Sequence, residues 1–193
     1  MALKYSEPGE LGSAAIEFNL PGTDGKNHRL RDFKDSKALV LVFMCNHCPY
    51  VIAVQDRINA LAREYLPQGV QLVGINSNDA SNYPADNFEA MKVRAQERKF
   101  VFPYLWDESQ EIAKLYRAVC TPEFYVYAQS TQGHTQDFGL VLRYKGQLDD
   151  SWKDEKAVTR RDLALAIDQI LLGLEPDQDQ KPSMGCSIKW KGM

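Results

Sequence analysis

The chain alternates between two hydrophobic periods. Residues 39–44, Leu-Val-Leu-Val-Phe-Met, are continuously apolar, as in a strand buried on both faces. From Val51 the period changes. Val51, Val54, Ile58, Leu61 and Tyr65 recur at steps of three and four, one apolar stripe on a helix. Pro67-Gln68-Gly69 stops that helix, and residues 70–76 read as a second buried strand. Strand, helix and strand with short joints form a βαβ unit, normally parallel and right-handed.

The flanks follow the same logic. Residues 1–16 read as a loose N-terminal arm, and residues 17–20 as a short strand with residues 27–30 as its hairpin partner. A helix opens near Pro84, with Phe88, Met91 and Ala95 on its apolar face. Residues 102–106 are a short extended piece, and Ser109 caps a brief helix carrying Ile112 and Leu115. Residues 123–127 and 138–144 read as two strands around a turn at Thr131-Gln132-Gly133. Thr159 is the expected cap of a last helix, with Leu163, Ala166, Ile167 and Ile170 as its core face and Gly173 at its end. Residues 174–193 read as a polar, flexible tail closing on Ile188 and Trp190.

Composition narrows the class. At 193 residues the chain is expected to form one domain, spanning 1–193, with a full-sized core. It is 44% hydrophobic and 25% charged, an ordinary soluble composition. A net charge of -3 supplies no polycation for nucleic acid, and no apolar run spans a bilayer. No signal peptide is visible at the start, and four cysteines do not make a disulfide scaffold in a chain of this length. The expected compartment is the cytoplasm, where redox cysteines are usually catalytic or sensing.

The chemistry is concentrated in Cys45-Asn46-His47-Cys48-Pro49, where the strand ends and the helix begins. Two cysteines separated by two residues can close a disulfide ring or share a metal. Beside a βαβ pattern, the spacing points to dithiol redox chemistry. Cys45 is expected as the attacking thiol, ionised by the exposed N–H groups and dipole of the helix start. Cys48, one turn in, is the expected resolving thiol, and His47 between them would further favour the thiolate. Thr121-Pro122 precedes an apolar strand far along the chain, a setting that suits a tight turn.

With these residues in view, the chain resembles the thioredoxin superfamily, and within it the peroxiredoxin-like branch, the alkyl hydroperoxide reductase/thiol-specific antioxidant group. More narrowly, it resembles a bacterial group of cytoplasmic proteins carrying C-N-H-C-P. The matching pieces are residues 43–51, 120–124, 144–150 and 183–190, with the front segment 18–33. The resemblance implies an α/β thioredoxin-like fold: a central mixed sheet flanked by helices, an N-terminal hairpin extension and a C-terminal tail. It implies a cis Pro122 facing Cys45, and a Thr121 loop that offers backbone groups to substrate. It also implies a protein or small-molecule disulfide or thiol as substrate, an electron donor of the thioredoxin or glutathione type, and no cofactor.

The departures matter as much. Peroxiredoxins place a proline and a threonine where this chain has Ala38 and Val42, so neither supplies a hydroxyl to orient a peroxide. Thioredoxins place a buried aspartate where this chain has Leu39, so a proton acceptor must come from elsewhere or be water. Asn46-His47 replaces the thioredoxin Gly-Pro and resembles more oxidising relatives. Cys120 and Cys186 are candidate auxiliary redox thiols, Cys186 as a tail thiol landing near Cys45, Tyr50 and Val51. Three activities compete: a thiol–disulfide oxidoreductase with an antioxidant, redox-homeostasis role; a thiol peroxidase using Cys45; and a Cu(I)- or Zn(II)-binding module. The last would use Cys45, His47 and Cys48, with a fourth ligand from Cys120, Cys186 or His134. His28 and His134 are otherwise expected as exposed turn residues.

Overall fold

A computed structural model describes residues 3–130 and 139–192. The turn at residues 131–133, His134 and the start of the strand expected from Phe138 lie outside the described residues. Among the described residues the chain forms a five-stranded mixed sheet. The strands are β4 (Ala38–Phe43), β5 (Val70–Asn76), β6 (Tyr104–Trp106), β8 (Glu123–Gln129) and β9 (Leu140–Gly146). β4 runs parallel to β5, β5 runs parallel to β6, and β8 lies antiparallel to both β4 and β9.

β4 is central because both of its faces are apolar. Successive side chains point to opposite sides. Ala38, Val40 and Val42 join one core cluster, with α1 (Pro49–Tyr65) and α4 (Asp162–Leu171). Leu39, Leu41 and Phe43 join the other, with Phe18, Leu30, Tyr116 and Ile188. All six β4 residues are fully buried. Burying side chains of this size contributes roughly 1.5–3 kcal/mol each, so this strand anchors whatever follows it.

The helical stripe behaves as its period requires: Val51, Val54, Ile58, Leu61 and Tyr65 are all buried. α1 is followed by a short 3-10 turn and closed by Gly69 at a φ of 90°, in the left-handed region that glycine tolerates. α2 (Phe88–Glu97) is capped by Asn87, whose side chain accepts from the Ala90 N–H at 2.8 Å. The turn of Pro84 forms a separate 3-10 piece, Pro84–Asp86. The expected front hairpin is present, with β2 (Asn19–Pro21) paired to β3 (Asn27–Arg29).

Several expectations are corrected. α3 (Glu111–Leu115) buries Ala113, while Leu115 is 55% exposed. Ser109 accepts from the Glu111 N–H, but the cap position belongs to Gln110. Thr159 does not cap α4. Its N–H donates instead to Asp150, at 2.9 Å, and Arg161 stands at the cap.

The largest difference is at the two ends. The arm contains β1 (Leu3–Tyr5), and the tail contains β10 (Met184–Ser187). With β7 (Cys120–Thr121) they form a small antiparallel sheet, β1-β10-β7. The tail is therefore packed structure rather than a loose segment. Beyond β10, Lys189 accepts at its carbonyl from the Asp79 N–H and the Gln110 amide, and its N–H donates to Asn78. Cys186 shares the core cluster of Cys45, Cys48 and Val51, as expected of the tail, whereas Ile188 is buried and Trp190 packs on the other cluster, the one that contains Tyr116. Tyr50 packs against Trp152, ring centroids 4.2 Å apart and planes tilted by 44°. No described helix is long and apolar enough to cross a membrane.

Candidate active site

Parallel strands β4 and β5 end on the same side, so the residues after each meet there. β4 leads into Cys45-Asn46-His47-Cys48, and β5 leads into Ser77-Asn78-Asp79. Cys48 is the N-cap of α1, followed by Pro49 at the first helical position. The third contributor is the Thr121–Pro122 peptide between β7 and β8, which is cis. Thr121 touches both thiols. Its hydroxyl lies 3.6 Å from Cys45 Sγ, and its carbonyl accepts from Cys48 Sγ at 3.1 Å. Cys45, Cys48, Thr121 and Pro122 thus meet in one place, with His47 on its rim.

Both thiols are hidden, contrary to the expectation of an exposed strand end. Cys45 is 1% exposed and Cys48 is fully buried. Burial, then the Cys48 contact and the negative charge of Asp86, pushes the Cys45 thiol well above its ordinary range. A lowered Cys45, expected from the helix start, is not what this geometry produces. The cap position belongs to Cys48, and donors converge there. A hydrogen bond from Cys45, with further ones from Cys186, Thr121 and the Val51 backbone, holds Cys48 down to about 5 against the effect of burial. The pair therefore ionises first at Cys48, with Cys45 keeping its proton and donating it toward the Cys48 sulfur. When Cys48 is neutral, its thiol donates a hydrogen bond to the Thr121 carbonyl.

Asp86 is the residue that sequence reasoning missed. It is fully buried in the Pro84–Asp86 turn and organises the loop between the cysteines. Oδ1 accepts from the Asn46 N–H at 2.8 Å and the His47 N–H at 3.2 Å. Oδ2 meets His47 Nδ1 at 2.5 Å and accepts from the Asn78 amide at 2.7 Å. These are charge-assisted bonds in a dry setting. They fix the imidazole, whose Nε2 is buried with no hydrogen-bond partner among the described residues and whose ring stacks on Tyr83 at 5.1 Å. Asn46 is held in turn by Tyr104, Arg94 and the Ala85 carbonyl. The available signal was the polar run after a buried strand, Asn76-Ser77-Asn78-Asp79, followed closely by Pro84-Ala85-Asp86.

Cys45, His47 and Asp86 place a sulfur, a ring nitrogen and a carboxylate oxygen within 4.8 Å of one another. This differs from the expected metal set, because Cys48 turns toward Thr121 and Cys186. The two Asp86 oxygens already accept four hydrogen bonds, which suits an orienting charge better than a cation ligand. His134 lies outside the described residues.

Of the other two thiols, Cys120 contacts the Glu123 carboxylate at 3.6 Å, and burial followed by that charge pushes it up, with a smaller effect from Cys48. Glu123 is fully buried and is neutralised by Lys145 at 3.1 Å. Cys186 is 3% exposed on β10, and its thiol interacts with Cys48. It stands opposite Thr121 in the β10–β7 register, so the outer backbone edge of Thr121 is already paired. Beside Pro122 lies a groove of about 290 Å³ lined by Val54, Phe124, Leu148, Trp152, Tyr5 and Met184.

A mixed sheet carrying a C-x-x-C at its first core helix, opposite a cis-proline, defines a thioredoxin-fold protein of the peroxiredoxin-like branch. The AhpC/TSA family model matches residues 11–137, and the chain belongs to that family. An uncharacterized conserved protein from Geobacillus kaustophilus is 44% identical over 100% of this chain and 98% of its own, with a TM-score of 0.90. A hypothetical protein from Sinorhizobium meliloti is 38% identical over 98% and 99%, with a TM-score of 0.89. The peroxidoxin BcpB from Mycobacterium tuberculosis shares the fold at 19% identity, over 84% and 94% of the two chains, with a TM-score of 0.54. None of the curated proteins compared matches the chain.

Proposed function

We propose that the protein is a thiol–disulfide oxidoreductase that cycles between the Cys45/Cys48 dithiol and its disulfide. The observation that carries this reading is the convergence of both thiols on Thr121, each within reach of the other. In the proposed cycle the Cys48 thiolate draws the Cys45 proton as Cys45 attacks a substrate disulfide, and the first departing substrate sulfur then takes that proton, which leaves Cys48 a thiolate again. The Cys48 thiolate then attacks Cys45 Sγ, which closes the internal disulfide and releases the second half of the substrate as a thiolate. Asp86 acts as a positioning residue by holding His47 and the backbone of residues 46 and 47. The groove beside Pro122 is the proposed seat for the non-reacting part of the substrate. The electron donor is proposed to be of the thioredoxin or glutathione type, in the cytoplasm, with an antioxidant role.

A second reading, thiol peroxidase, is favoured by one observation. Val42 supplies no hydroxyl, but the Thr121 hydroxyl stands 3.6 Å from Cys45 Sγ, where it can orient a hydroperoxide oxygen. The test is to present the reduced protein separately with a small-molecule disulfide and with a hydroperoxide. Closure of the Cys45–Cys48 disulfide is followed in each by peptide mapping, with Cys45→Ser as control. Faster turnover of the disulfide supports the first reading. Hydroperoxide turnover at least as fast, with a sulfenic acid trapped at Cys45 in Cys48→Ser, favours the second.

A further inference from the structure

The dithiol reading uses two cysteines, yet three thiols share the buried cluster: Cys45, Cys48 and Cys186. Cys48 interacts with both of the other thiols, Cys45 and Cys186. We propose that Cys186 is a third redox thiol, which exchanges with the Cys45–Cys48 disulfide to form a Cys48–Cys186 disulfide inside the protein.

Three independent features place Cys186 there. The first is register: β10 pairs with β7 so that Cys186 faces Thr121, the residue whose hydroxyl and carbonyl touch the two active-site sulfurs. The second is fit. A Cβ on Gly185 would stand 2.0 Å from the Thr121 carbonyl oxygen and 2.6 Å from its carbon, so only glycine lets β10 lie this close to the site. The third is anchorage on both sides. Before β10, the Ser183 hydroxyl donates to the Gly146 carbonyl, and the Ser183 N–H donates to Ser6. After it, Lys189 is tied to Asn78, Asp79 and Gln110. Cys186 is thereby held against Cys48 with no search through solvent, the condition under which exchange becomes effectively intramolecular.

The step balances without an outside reactant. The Cys186 sulfur attacks Cys48 Sγ, the Cys45–Cys48 bond breaks, and the Cys48–Cys186 bond forms. The Cys186 proton ends on the departing Cys45 sulfur, and no electrons enter or leave. Burial, with the hydrogen bond to Cys48, pushes the Cys186 thiol up to about 12, and Cys45 is also raised, so the proton moves between two groups that both hold it firmly. The exchange returns Cys45 as a thiol while the oxidising equivalent is stored beneath it on β10.

This inference rests on the dithiol reading, and one experiment separates the two. The reduced full-length protein, Cys45→Ser and Cys186→Ser are oxidised with diamide, quenched in acid, alkylated and mapped by peptide mass. In Cys45→Ser, two thiols per chain are lost and Cys48 is found joined to Cys186. In wild type, Cys45–Cys48 appears first and Cys48–Cys186 follows. If Cys186 remains fully alkylatable in Cys45→Ser after Cys48 has been oxidised, the inference is overturned. A Cys45–Cys186 or Cys48–Cys120 link in place of Cys48–Cys186 overturns it equally. The wild-type map answers the same question should Cys45→Ser fold poorly: Cys45–Cys48 alone at equilibrium is a negative result. Failure of Cys186→Ser to close Cys45–Cys48 would refute the dithiol reading instead.

Discussion

Replacing Asp86 with asparagine keeps the shape and removes one charge. The buried carboxylate accepts from the Asn46 N–H, the His47 N–H, the Asn78 amide and His47 Nδ1. An asparagine amide offers one oxygen and one NH2 group. Whichever side the NH2 takes, it meets at least one donor and leaves that donor unpaired in a dry site. The remaining bonds lose their charge assistance. Hydrogen bonds to charged groups contribute about 1.5–3 kcal/mol each, and an orphaned buried donor costs ~1–3 kcal/mol, so partial loss here should destabilise by about 2–4 kcal/mol. For a chain of this size that corresponds to a drop in Tm of roughly 4–16 °C. The thiols should respond in the opposite sense. The Asp86 charge raises the Cys45 thiol, so neutralising it favours the Cys45 thiolate. Asp86→Asn should therefore be less stable and, at matched folded fraction, have a more readily ionised Cys45. Calorimetry of the reduced protein and a pH titration of thiolate ultraviolet absorbance measure the two effects. A variant as stable as wild type, or a thiol titration shifted upward, would refute the assignment of Asp86 as the charge that orders this loop.

Further outcomes follow from the same geometry. The first thiol ionisation should fall near pH 5 and disappear in Cys48→Ser; its survival there and loss in Cys45→Ser would reverse the order proposed for the pair. Because the folded Cys48 pKa lies below the free value of ~8.5, its contribution to stability is complete above that value and is lost as pH falls through about 5. The stability advantage of reduced wild type over Cys48→Ser should accordingly grow from pH 5 to pH 8, which denaturant unfolding at the two pH values will show. Gly185→Ala drives a methyl group into the Thr121 carbonyl, so β10 should detach at a cost of about 1–3 kcal/mol and alkylation of Cys45 and Cys48 should accelerate roughly tenfold. Unchanged alkylation would mean that β10 does not cover the thiols. Cys120→Ala should leave thiol–disulfide turnover within about twofold of wild type, since the Cys120 thiol contacts the Glu123 carboxylate.

Much of this was legible in the order of residues. The β4–α1–β5 unit follows from a change of hydrophobic period, and the position of the cysteines follows from where that change falls. Pro122 was found by its place before a strand and by resemblance, and it is cis. What escaped depends on contacts between distant segments. Met-Gly-Cys-Ser has no apolar period, yet it becomes β10 because β1 and β7 present unpaired edges to it. The helix start acts on Cys48, its N-cap, while burial and the Asp86 charge act on Cys45, and neither effect can be read from the local sequence. Asp86 reads locally as a helix-opening polar residue. Only the return of its turn over the cysteine loop makes it a buried charge with four partners.

The central claim is that Cys45 and Cys48 form a reversible redox couple. Titrating the protein in glutathione buffers, with thiol content and peptide maps read at each ratio, tests it directly. The account predicts reversible two-thiol loss that requires Cys45 and Cys48 in the map. It also predicts a midpoint less negative than the ~-270 mV of thioredoxin, because a stabilised Cys48 thiolate favours the reduced form. A map in which Cys45 and Cys48 stay reduced across the series while other thiols oxidise would contradict the couple itself, and a midpoint more negative than thioredoxin would contradict the thiolate assignment.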